Sequence, residues 1–429
     1  MTAHALSVAQ RRGACPGLSA PMPTGDGLLV RLLPIGPMPL TAFAALCAAA
    51  RRHGNGIVEV TGRGSLQVRG LSAASAPRFA DAIRVLNIAA ADGVPVLSNP
   101  LAGLDPAEIV DAAALATALR RTLADGPLGA RLAPKVSVAI DGGGTLALDD
   151  IAADVRLQAE PVSGDAMLRV GVGGTGADAA QLGLIAARAG VDAATRLLEV
   201  IARRGRDARA RDVLAAEGPC VFRAAISDLL IADPPRPAAP RPYEAIGRHR
   251  LRDGLLACGL GLAFGHAAAT ALDRLIESAA AAGAAGIRAA PARALLVIGL
   301  TERSASAVAA DAERFGLVVR ADDPRRRVVA CAGAPICASA HIAARAIAPL
   351  VAELAGPQLD GRFVHISGCA KGCAHVGVAA VTAVGGPVGC ALVAGGTTRD
   401  APFATVAVDQ LPAAIARYVG HVRREVDHV

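Results

Sequence analysis

Two pairs of cysteines are the residues of this sequence best placed to do chemistry. The run ACAGAPICASA carries Cys331 and Cys337 with five residues between them, and SGCAKGCAH carries Cys369 and Cys373 with three. Four thiolates in two pairs bind either a zinc ion or an iron–sulfur cluster. Zinc knuckles favour two intervening residues, a tight turn that suits one small ion, whereas the wider spacings here suit the bulkier cubane of a [4Fe–4S] cluster. Ala332, Gly333, Ala338, Gly368, Ala370 and Gly372 surround the four positions. Such small residues let backbone N–H groups approach the sulfurs and offset the cluster's negative charge. Lys371, enclosed by the second pair, would offset that charge too, or hold an acidic group of a substrate.

The other five cysteines, Cys15, Cys47, Cys220, Cys258 and Cys390, stand singly. Cys47 and Cys258 lie among alanines and leucines and read as small buried apolar side chains. An odd total of nine argues against a disulfide framework, and MTAHALSVAQRRGAC has no apolar stretch ahead of its arginines. The expectation is a cytoplasmic protein without a secretory leader. The 53% hydrophobic fraction comes from Ala, Leu and Val spread along the chain. No run of ~18 uncharged apolar residues predicts a membrane span. With 44 basic and 37 acidic residues the net charge is +7, which suits an acidic substrate or aids solubility. Aromatic residues make up 2% and tryptophan is missing, so the stacking surface that nucleic-acid binding uses is not supplied.

At 429 residues the chain has room for about three domains. An internal repeat organises them. Residues 28–71 read as strand, helix, strand, and 255–300 repeat that grammar without a gap at an offset of 229 residues, Gly36 falling on Gly265 and Gly70-Leu71 on Gly299-Leu300. The helical pieces space apolar residues three and four apart, while the strands alternate. The sequence predicts a first half-unit with its N-terminal arm over 1–85, an α/β domain over 86–231, and a proline-rich linker over 232–242. A second half-unit follows over 243–305, then an α/β domain with the grouped cysteines over 306–429. Half-units that cannot close a sheet alone are expected to pair with each other. In PKVSVAIDGGGTLALDD the glycines Gly142–Gly144 read as a hairpin turn.

The C-x5-C pair followed by G-C-x-x-G-C resembles the cluster motif of the siroheme sulfite and nitrite reductases, and the half-repeat plan is similar to theirs. The resemblance runs from about Gly25 to about Val408. It implies an α/β (α+β) fold in which two ferredoxin-like half-domains pair into one domain beside two larger α/β domains. Within that superfamily, RRGACPGLSAPMPTGDGLLVRL (11–32) and HISGCAKGCAH (365–375) resemble the precorrin-3B synthases. The reductases usually place Pro-Asn between the second pair of cysteines, where this chain has Ala370-Lys371. Of the cations with which sulfite reductases grip their small oxyanion, one arginine falls on Arg63 and one lysine on Lys135. A second lysine falls on Ser137, and a second arginine, upstream of Asn99-Pro100, near Asp92. A site lacking half its donors is poorly equipped to stabilise charge developing on a tiny oxyanion.

What the family resemblance implies is oxygen-dependent hydroxylation of precorrin-3A, a reduced tetrapyrrole, at the meso carbon between rings A and D. A ring-A acetate then closes a γ-lactone. The cofactors it implies are the [4Fe–4S] cluster on Cys331, Cys337, Cys369 and Cys373 and a mononuclear non-haem iron, rather than siroheme. His341, His365 and His375 lie near the cysteine motif, and two histidines with a carboxylate make a ferrous site. Each is also an ordinary hydrogen-bonding residue, and Cys15 is a further candidate. Arg63, Lys135, Lys371 and Arg293 are the expected partners of the tetrapyrrole's carboxylates. No G-x-G-x-x-G stands at a strand–helix junction, so electrons are expected from an external NADH-linked donor. Two other readings stay open: a siroheme-dependent sulfite or nitrite reductase, and an iron–sulfur electron-transfer protein.

Overall fold

A computed structural model describes residues 16–86, 93–161, 166–232, 241–375 and 377–426. Cys15, Asp92 and most of the proline-rich linker (233–240) lie outside the described residues.

The repeat becomes a pair of antiparallel sheets. In the first copy the strands run in the order Met22–Thr24, Gly27–Leu32, Leu66–Leu71 and Ile57–Val60. In the second the order is Gly247–Arg250, Leu256–Gly261, Ala294–Leu300 and Gly286–Ala290. Each copy packs a helix on its sheet, Leu40–His53 and Ala269–Ala281 respectively. In the first helix Ala42, Phe43, Leu46, Cys47, Ala49 and Ala50 form one buried stripe, the three-and-four spacing made physical. Arg51, Arg52 and His53 crowd its last turn, where cations complement the helix dipole, and the Gly54 N–H closes on Ala50 O at 3.0 Å.

The halves complete one another. His266–Ala268, just ahead of the second helix, is a strand that joins the first sheet, Ala267 opposite Val58. In the reciprocal position Met38 exchanges backbone hydrogen bonds with Ile287 at 2.8 and 2.9 Å. The 229-residue offset turns Met38 into Ala267 and Val58 into Ile287, so each half lends the other the same segment. One apolar core results, with Phe43, Leu46 and Val58 packed into the same cluster as Leu272, Leu275 and Val297. Each second "strand" of the repeat is in fact a hairpin of two strands.

The two larger units share a plan of their own. One has a six-stranded sheet in the order Leu230–Ala232, Ala180–Ala186, Met167–Gly174, Ala153–Glu160, Val138–Asp141, Val96–Ser98. The other has a five-stranded sheet in the order Val328–Ala330, Val364–Ser367, Ala379–Gly386, Gly389–Gly396, Ala404–Val406. Both begin with three parallel strands and finish with antiparallel ones. The hairpin expected at Gly142–Gly144 does not form, because Val138–Asp141 has parallel neighbours on both sides. The glycines serve close approach instead. Gly142 N–H donates to Asn99 Oδ1 at 2.6 Å, and a Cβ there would lie 2.3 Å from the Val110 carbonyl oxygen. Among the described residues no helix is long and apolar enough to cross a membrane.

Candidate functional site

The grouped cysteines sit where the parallel strands of the five-stranded sheet end. Cys331 follows Val328–Ala330, and Cys369 lies just past the neighbouring strand Val364–Ser367. Carboxyl ends of parallel strands are where α/β sheets present ligand-binding loops. The Gly368 N–H donates to Cys331 Sγ at 3.1 Å. Gly333 holds φ +70°, and a Cβ there would meet Ala344 N at 2.4 Å, so only glycine lets the first cysteine loop fold back. The N-terminal arm closes over the loop through a Gly25 N–H to Ile336 O bond of 3.0 Å. Burial pushes the Cys331 thiol up, and the neighbouring Cys337 and Cys369 add to the shift. Burial also raises Cys373, followed by Cys369 and Cys337, with Lys371 opposing them.

The four thiols therefore lie within each other's electrostatic reach. A single ion bound at about 2.3 Å per sulfur would draw four of them to within about 4 Å of one another. Among the described residues no group of three or more His, Cys, Asp or Glu is gathered tightly enough to hold a metal ion. A cubane brings its own iron and sulfide between the sulfurs and is gripped by thiols standing further apart. Soft donors, small neighbours and a backbone N–H on one sulfur fit that group.

Of the expected cations, two join the cysteine loops. Lys371 Nζ donates to Ser339 Oγ at 2.8 Å, tying the second loop to the first. Arg293 Nη2 donates to Ala374 O at 3.2 Å, tying the second half-domain to the residue after Cys373. Arg293 holds φ +64°, and its repeat partner Gly64 holds φ +81°. The same left-handed turn is made with glycine in one copy and arginine in the other, at a cost of about 1–3 kcal/mol for a side chain in that region. Arg63 faces the loop that carries Arg293, bridging to Pro291, and its Nη2 donates to Ser137 Oγ at 3.2 Å. Lys135, two residues from Ser137, is exposed. The cysteine domain is fastened to the first half-domain by Arg345, which pairs at 2.5 Å with the buried Glu59.

Residues 20–86 match the nitrite/sulfite reductase ferredoxin-like half domain. A precorrin-3B synthase from Sinorhizobium is 41% identical over 430 positions, which span all of this chain and 92% of the relative. The chain belongs to the precorrin-3B synthase family. It is accordingly an enzyme, an oxidoreductase, and it carries the duplicated half-domain architecture of the wider superfamily. The sulfite reductase of Mycobacterium tuberculosis is 30% identical over 158 residues, 35% of this chain and 28% of that protein. The structure of the M. tuberculosis NirA protein superposes with a TM-score of 0.78, covering 92% of this chain and 81% of that one at 21% identity, and so shares the fold.

In this precorrin-3B synthase family member the histidines divide. His341 is exposed. His365 is fully buried, and among the described residues neither of its ring nitrogens nor His375 Nε2 has a partner. Their rings lie 5.8 Å apart, and Phe363 meets His375 edge-on at 4.6 Å. Burial, His375 and Arg293 pull His365 down to about 4, so it is neutral. The described residues thus present two imidazoles but no carboxylate grouped with them, and do not complete a mononuclear iron site. Sequence reasoning missed Arg120 and Arg288, which line a cleft with Arg63. Neither carried a signal of its own: Arg288 stands in the short strand-like run GIRAA, where an arginine reads as solvent-facing.

Proposed function

We propose that this enzyme hydroxylates precorrin-3A with dioxygen and closes the γ-lactone of precorrin-3B, a step of cobalamin biosynthesis. The observation that carries the reading is the full-length likeness at 41% identity. It favours tetrapyrrole oxidation over sulfite reduction or bare electron transfer. The local geometry agrees, since Arg63 hydrogen-bonds a serine at the position where the reductases place a lysine. One oxygen atom enters the product at the meso carbon between rings A and D. The other leaves as water, which consumes two electrons and two protons.

Cys331, Cys337, Cys369 and Cys373 would hold a [4Fe–4S] cluster, which when bound supplies electrons one at a time. Arg63, Lys135, Lys371 and Arg293 would bind and orient the substrate through its carboxylates, each charge-assisted bond contributing about 1.5–3 kcal/mol. The ring-A acetate must be held against the hydroxylated centre for lactone closure, and a two-pronged guanidinium is suited to fixing its plane. The glycine run at 171–176 leads the strand Met167–Gly174 towards its hairpin partner rather than into a helix, which supports an external NADH-linked donor. The set of nine thiols suits the reducing cytoplasm. No step is assigned to a mononuclear iron, for which the described residues supply no complete ligand set.

The test is a pair of assays with one reductant on anaerobically purified protein. Precorrin-3A admitted with air should yield a lactone-bearing product, while sulfite should yield no sulfide. Rapid sulfide formation without any change in precorrin-3A would reverse the reading.

A further inference from the structure

Two guanidiniums, one buried and one half-buried, lie without a carboxylate partner among the described residues at the junction of the half-domains and the six-stranded unit. Arg288, in the strand Gly286–Ala290, is 7% exposed, and among the described residues its side chain makes one long hydrogen bond, 3.4 Å to Ser98 Oγ. Arg120, in the helix Ala112–Asp125, donates to Val96 O at 2.6 Å, and its buried Nε has no acceptor among the described residues. Both line one narrow cleft that opens to solvent, together with Arg63, Leu33, Pro34 and Leu148. Burial lowers both guanidinium pKa values, and Arg120 adds to the shift on Arg288, which falls to about 10 and so stays charged at neutral pH.

Among the described residues no carboxylate pairs directly with either charge. Glu108 is the carboxylate that acts on Arg288 from a distance, but its oxygens are already taken. They accept the Gly103 N–H at 2.7 Å and the Ala112 N–H at 3.1 Å, and Arg252 stands 3.6 Å away. The Tyr243 hydroxyl donates to Pro291 O at 3.3 Å, and burial pushes its pKa up, so it supplies no phenolate. A buried charge is ordinarily paired. Two like charges lining one open polar cleft, with no carboxylate partner among the described residues, are the arrangement of an anion site.

We infer that the Arg120–Arg288 cleft is an anion subsite that takes a carboxylate. A carboxylate matches the guanidinium fork in shape and charge, and two forks facing one cleft can share its oxygens. The carboxylate could be a side arm of the bound tetrapyrrole, an assignment that rests on the function proposed above, or a free carboxylate of the same chemistry. Arg63 links the cleft to Ser137, which would place a substrate arm within one side chain of the expected binding cations.

The experiment has two arms on the cluster-loaded full chain, with the cluster absorbance as folding control. In the first, chloride is replaced stepwise by acetate at constant ionic strength while the thermal midpoint is followed. The expected result is a saturable rise in wild type that is lost in Arg288→Met and in Arg120→Met, since a ligand bound only by the folded state stabilises it by mass action. In the second, precorrin-3A affinity is measured. A substrate arm as occupant predicts a tenfold to hundredfold loss in Arg288→Met and competition by acetate in wild type. Acetate stabilisation with unchanged precorrin-3A affinity would support the subsite with a free carboxylate as occupant. Wild type that binds no precorrin-3A would defeat the proposed function, while the acetate arm still judges the cleft. No acetate effect in wild type, together with wild-type precorrin-3A affinity in both variants, would overturn the inference.

Discussion

Cys369 and Cys47 carry the same thiol and differ in where the chain puts it. Cys369 lies just past a parallel strand among other thiols, while Cys47 is fully buried in the half-domain core, its pKa pushed up to about 12. Iron and sulfide content should therefore collapse in Cys369→Ser and stay at wild-type level in Cys47→Ala. Normal iron and sulfide in Cys369→Ser would refute the ligand set. His365 makes a separate prediction. Its folded pKa of about 4 lies below the ordinary 6.5, so between those values the unfolded chain takes up a proton that the folded chain refuses. That stability is complete above pH 6.5 and lost as the pH falls towards 4, by up to about 3 kcal/mol. Denaturant titrations of wild type and His365→Leu across this window should diverge as the acid limb is entered, and parallel curves would show that the histidine is not held neutral. At this scale the gathering of the four cysteines into two neighbouring loops was legible, because it is written in local spacing. Arg288 was not, since an arginine in a strand reads as solvent-facing until the neighbouring units are known.

Elements were legible where periodicity is local and illegible where partners come from afar. The helix Leu40–His53 and its repeat Ala269–Ala281 follow from apolar spacing alone. The glycines after Asp141 do not, because a hairpin and a parallel strand followed by a tight loop share the same composition. What holds that loop is Asp141, whose carboxylate accepts N–H groups from Gly143 at 2.9 Å and Leu148 at 2.7 Å. Arg241, just past the linker, then straps it down, reaching Asp141 at 2.6 Å and Asp149 at 3.2 Å. Those carboxylates are 1% and 5% exposed, so removing their cation leaves two buried charges short of a partner. Arg241→Met should cost about 3 kcal/mol in the urea midpoint analysis. An unchanged midpoint would mean that the backbone donors satisfy both carboxylates without the strap.

At the scale of the molecule, duplication explains why the site exists. Each half-domain sheet is incomplete, and the reciprocal pairings Ala267–Val58 and Met38–Ile287 force the two copies together about one core. That pairing brings the turn of Arg63 against the turn of Arg293, and the larger units then deliver Ser137 to the first and the cysteine loop to the second. The repeat offset made the pairing of halves readable from sequence, while the strand His266–Ala268 that effects it was hidden in an alanine-rich stretch resembling a helix start. The measurement that bears most directly on this account is a single turnover of the reduced enzyme with precorrin-3A under isotopically labelled dioxygen, followed by mass spectrometry of the product. The account predicts one labelled oxygen in a lactone-bearing tetrapyrrole and the other in water. A product whose new oxygen comes from unlabelled solvent, or an untouched substrate beside active sulfite reduction, would contradict it.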